Sequence, residues 1–143
     1  MKTGKKRAAL IALALIYAGL MVWLMFLRRA PFAERSYNLA PFYTLRQMWT
    51  LYGNYERFRR FALVNLLGNV VMFVPLGFFL PAIFRAQRRF LCALFTAALI
   101  IAGLEAVQYV TRLGVADVDD LMTNLVGVVL GYVIWRLAHR KDR

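Results

Sequence analysis

AALIALALIYAGLMVWLMFL, residues Ala8 to Leu27, runs for about 20 residues without a charged side chain. A helix rises about 1.5 Å per residue, so this run reaches across the roughly 30 Å of a hydrocarbon core, where no water is available to satisfy an open backbone. Lys2, Lys5, Lys6 and Arg7 precede it. Its apolar stretch exceeds the ~7 to 15 residues of a signal peptide, so we read it as an uncleaved anchor. Working outward, residues 62–84, 90–110 and 121–138 are apolar over similar lengths, the last being the shortest. The expected fold class is all-α: an integral membrane bundle of four transmembrane helices, about 8–27, 62–84, 90–110 and 121–138, with residues 1–143 forming a single domain.

Composition excludes the main alternatives. Hydrophobic residues make up 62% of the chain and charged residues 18%, which is outside the range of a soluble globular domain. A net charge of +12 would suit nucleic acid in a polar chain. Here the cations cluster between apolar runs and read as membrane flanks, so no nucleic-acid partner is expected. One cysteine cannot form an internal disulfide, and Cys92 with His139 cannot furnish a four-ligand zinc site. Neither residue has the companions of a nucleophile, and no cofactor is expected.

Orientation follows from the cations. With the N-terminus cytoplasmic, eleven of the nineteen Lys and Arg lie inside, so both termini are expected in the cytoplasm. Seven of the other eight fall in the 34-residue connection Arg28 to Phe61, which also carries nine of the 21 aromatics. Within it Phe42, Leu45, Trp49 and Tyr52 recur at helical spacing, as in a helix lying in the headgroup layer, with Gly53-Asn54 breaking it. A plain loop with interfacial anchors reads equally well from the same residues.

A bilayer penalises unpaired polar groups, so the few polar side chains inside the apolar segments carry the information. Asn65 and Asn69 share one face of the second helix at i and i+4; Glu105, Gln108 and Arg112 form a stripe ending the third; Asp120 and Asn124 open the fourth, after Asp117 and Asp119. Alternating helices bring these three ends to one membrane surface. Glu105 falls about 8 Å and Asn69 about 10 Å below it, which predicts a polar cavity opening to one side. The plainer reading is interhelical hydrogen bonding, favoured for Asn65 and Asn124 alone. For Glu105 a functional role is expected, with Arg112 or Asn69 as partner. Asp119 and Asp120 suit a helix N-terminus as well as a pocket rim, and metal binding by Asp117, Asp119 and Asp120 is not expected. Pro75 predicts a kink in the second helix, and Gly127 with Gly131 a close helix contact.

Asn38-Leu39-Ala40-Pro41-Phe42, the run Asn65-Leu66-Leu67-Gly68-Asn69 continuing to Pro75-Leu76-Gly77-Phe78, Glu105 and Gln108 with Arg112, and Asp119-Asp120 with Asn124, Gly127 and Gly131 together resemble the VanZ-like membrane proteins over about Asn38 to Tyr132. The resemblance implies a small multi-pass protein of the bacterial cytoplasmic membrane, related to an accessory protein associated with low-level resistance to the glycopeptide teicoplanin. It implies an envelope role, with membrane lipids, anionic headgroups or a lipid-linked envelope precursor as partners. Nothing in the chain resembles a CoA or acyl-phosphate site. Two other readings stay open: an intramembrane enzyme using Glu105 or Asp120 as general acid or base, and a structural subunit docking a protein partner.

Overall fold

The structure is a computed structural model that describes residues 2–27, 30–34, 36–52 and 56–140. Helix α1 (Lys2–Val22) passes into a π-helical turn, Trp23–Leu27. The first connection then holds a short strand β1 (Tyr37–Asn38) and helix α2 (Tyr43–Tyr52). Helix α3 (Glu56–Ile83), a 3₁₀ turn Arg85–Arg88, helix α4 (Phe90–Thr111), strand β2 (Ala116–Asp117) and helix α5 (Val118–Ala138) complete the order. Among the described residues, four segments, Gly4–Leu27, Leu63–Ile83, Phe90–Thr111 and Val118–Ala138, are long and apolar enough to cross a membrane.

Helix α2 forms within the aromatic connection as the spacing predicted; the break expected at Gly53-Asn54 and the side chains of Leu45, Trp49 and Tyr52 lie outside the described residues. Helix α3 starts at Glu56, earlier than the expected 62. Its apolar run fixes where the hydrocarbon begins, whereas a helix continues for as long as its backbone hydrogen bonds do. The helix runs through Pro75 and also through Pro81. A proline removes one donor without ending a membrane helix whose neighbours hold it. Tyr17 of α1 supplies such a hold, its hydroxyl donating to the Met72 carbonyl at 2.8 Å.

The central packing is between α3 and α5, backbone against backbone. A Cβ placed on Gly127 would strike the Val70 carbonyl, one on Gly131 the Val74 carbonyl, and one on Gly77 the Val128 carbonyl. Small residues allow this approach, which brings dispersion contact and weak Cα–H···O bonding in a solvent where apolar burial alone gives helices no reason to associate. The Gly127/Gly131 face is thereby occupied within the bundle. Phe73, Ile101 and Val128 are fully buried beside it, and Met21 from the end of α1 and Met25 from the π-helical turn join them. Outward faces of α1 and α4 leave Leu15, Ile16, Leu91 and Phe95 exposed, as lipid-facing side chains are.

At one end of the bundle, the Tyr132 hydroxyl donates to the Arg88 carbonyl at 2.5 Å and Gln87 donates to Thr96 at 3.0 Å, tying the α3–α4 turn to α5 and α4. At the other end, the finish of α1, the starts of α3 and α5 and the finish of α4 meet beneath the first connection.

Candidate functional site

A cavity of about 720 Å³ occupies this second end. Its walls are polar where the helices are otherwise apolar: Asn65 and Asn69 from α3, Glu105 and Gln108 from α4, Asp120 and Asn124 from α5. Glu105, Gln108 and Asn124 are buried, and Asn69 donates to Asp120 Oδ1 at 2.7 Å across the α3–α5 seam. Gln108 reaches the Met25 carbonyl in the π-helical turn at 3.4 Å. Asn124 Oδ1 is buried without a donor among the described residues, in a side chain that borders the cavity. Replacing Asn69 by Leu removes the bond to Asp120, with an expected loss of about 0.6 to 2 kcal/mol, measurable as a lower midpoint in detergent unfolding. An unchanged midpoint would place no weight on that bond.

The roof comes from the first connection, which contributes Tyr37, Asn38, Tyr43 and Thr44. Two aspartates hold it. Strand β1 pairs in parallel with β2, Tyr37 opposite Ala116 and Asn38 opposite Asp117. Asn38 donates to Asp117 Oδ1 at 3.2 Å and to Thr44 Oγ1 at 3.0 Å, and the Thr44 hydroxyl donates to Asp117 Oδ2 at 2.5 Å. Asp117 also caps α5, accepting from the Asp119 backbone N–H at 2.9 Å. Asp119 accepts the Phe42 backbone N–H at 2.5 Å. Phe42 sits at φ 63°, following Pro41 in the order of a type II turn, where glycine is the usual residue. The Asp119 carboxylate, aimed at that N–H, offsets the strain of a bulky side chain in the left-handed region.

Six of the eight polar-cluster residues therefore line one cavity, and two are placed elsewhere. Asp119 is not a rim: it is only 2% exposed and turned to the roof turn. Arg112 does not line the cavity. Helix α4 ends at Thr111, so Arg112 caps it at φ 59° and leaves the helical stripe that Glu105 and Gln108 follow. Its carbonyl accepts from Phe32 N–H at 2.8 Å and its Nη1 donates to the Ala33 carbonyl at 3.2 Å. Both bonds fasten the first connection. Asp117, read from the sequence only as one of an acidic run, is the centre of the clamp and lines the cavity. Asn38, Pro41 and Phe42 are the clamped segment itself.

What these features define is a helical membrane protein, with four membrane-length segments among the described residues and a polar recess at one end of the bundle, roofed by its own first connection. The chain belongs to the VanZ/LLP1 family, whose profile matches residues 14–139. It is 28% identical over 107 residues to Protein VanZ of Enterococcus faecium, a stretch that takes in 75% of this chain and 56% of that protein, so the match spans little more than half the length of this relative. No solved structure matches the chain.

Proposed function

We propose that the chain works in the bacterial cytoplasmic membrane with both termini in the cytoplasm, its cavity facing outward and holding an envelope component. Occupancy of that recess alters the surface available to glycopeptides such as teicoplanin. The observation that carries this reading is the meeting of Asn69, Glu105, Gln108, Asp120 and Asn124, from three helices, around one cavity of about 720 Å³. Polar groups sunk below a membrane surface are costly to keep and suit a hydrogen-bonding ligand. Glu105→Gln keeps the shape of the side chain and removes its charge. In a host whose teicoplanin susceptibility responds to this protein, the variant, expressed at the normal level, is expected to return susceptibility to that of cells without it. Full protection by the variant would sink a working role for Glu105.

A second reading is favoured by the carboxylates. Glu105 and Asp120 line the same cavity, the arrangement an intramembrane enzyme acting on a lipid headgroup or lipid-linked precursor would use for general acid and base. It differs in its trace: cells expressing the protein should accumulate a lipid of altered mass, lost in both Glu105→Gln and Asp120→Asn.

A further inference from the structure

At the end of the bundle opposite the polar recess, α1 and the turn after α3 leave a groove of about 680 Å³. Its floor is apolar: Leu10 from α1, and Ile83 and Phe84 from the end of α3. Its rim carries four cations, Lys6 and Arg7 from α1 and Arg85 and Arg88 from the turn, and no acidic side chain lines it among the described residues. Like charges gathered at one place repel, and all four are exposed, so nothing in the packing of the bundle requires them there. The turn that carries two of them is nevertheless held in place. Tyr132 binds the Arg88 carbonyl and Gln87 binds Thr96, so the guanidinium pair is presented from a fixed backbone.

We propose that this groove seats an anionic phospholipid, its phosphate gripped by the four cations and an acyl chain lying along Leu10, Ile83 and Phe84. Guanidinium forks match the paired oxygens of a phosphate, and a lysine adds a point charge. The depth agrees: Lys6 and Arg7 immediately precede the apolar run of α1, at headgroup level, while the floor lies where hydrocarbon begins. A soluble phosphate would use the rim and leave the apolar floor bare, Phe84 being 56% exposed. The site is independent of the polar recess and stands or falls without it.

The test is lipid retention by the full chain, released from bilayers of equal phosphatidylglycerol and phosphatidylethanolamine and weighed by native mass spectrometry. Phosphatidylglycerol should be retained preferentially. A charge-assisted hydrogen bond to the phosphate is worth about tenfold or more, so Arg85→Gln with Arg88→Gln should cut that preference by more than about tenfold. Ala86→Trp, which fills the groove and alters no charge, should also lower it. Arg136→Gln with Arg140→Gln removes as much charge outside the groove and should leave it intact. Equal loss in that control, unchanged retention in the Arg85/Arg88 or Ala86 variants, or displacement of the lipid by millimolar glycerol phosphate would each overturn the proposal, the last in favour of a free phosphate.

Discussion

Gly131→Ala should lower the stability of the detergent-purified protein by about 3 kcal/mol, the upper end of what one added carbon costs in a packed core. The added Cβ meets the Val74 carbonyl and the Phe78 backbone nitrogen, neither of which can swing aside as a side-chain tip does. The helices must part, and they part along the seam that also carries the Asn69–Asp120 bond, so the cavity wall is disturbed with them. Gly103→Ala is the matched control: a Cβ there meets nothing within 4 Å, and alanine is the better helix former. Unfolding titrations in a denaturing detergent should therefore separate the two variants clearly. If Gly131→Ala melts together with Gly103→Ala, α3 and α5 do not approach as described.

Asp117→Ala should release the roof while leaving the four spanning helices assembled. The substitution strips acceptors from Asn38, from the Thr44 hydroxyl and from the Asp119 N–H, and it deletes the cap of α5. Each donor stranded out of water is worth about 1 to 3 kcal/mol; with partial rescue by solvent, the local loss is about 3 kcal/mol, or on the order of 100-fold faster amide exchange across residues 36–44. Asp117→Asn retains one acceptor oxygen and should fall between the two. Hydrogen exchange followed by peptide mass analysis reads this directly. Undiminished protection of residues 36–44 in Asp117→Ala would show that the clamp is not what holds the connection down.

The bundle was legible because its cause is local. Twenty apolar residues in a row have one stable arrangement in lipid, and the i, i+4 spacing of Asn65 with Asn69 and of Asp120 with Asn124 fixes a shared face without knowledge of a partner. Alternation of the helices then brings those faces to one end. The clamp was not legible, because Asn38 and Asp117 are 79 positions apart and no periodicity links a loop asparagine to an aspartate across three helices. The same limit misplaced Arg112. Its position in the stripe assumed that α4 continues, whereas the helix stops one residue earlier and the left-handed turn sends the side chain to Ala33. The packing role of Gly77 was not legible either, since its signal is the Val128 backbone opposite it and not any spacing of its own.

The parallel pairing of Tyr37 and Asn38 with Ala116 and Asp117 joins a segment made early to one made late. During synthesis the first connection emerges before α3 and α4 exist, and its docking site is completed only once the turn ahead of α5 has followed. The connection must therefore wait, uncovered, through the insertion of two further helices. Closure of the roof is thus a late event in biogenesis, and the recess comes into being as a finished compartment only when α5 has joined the bundle.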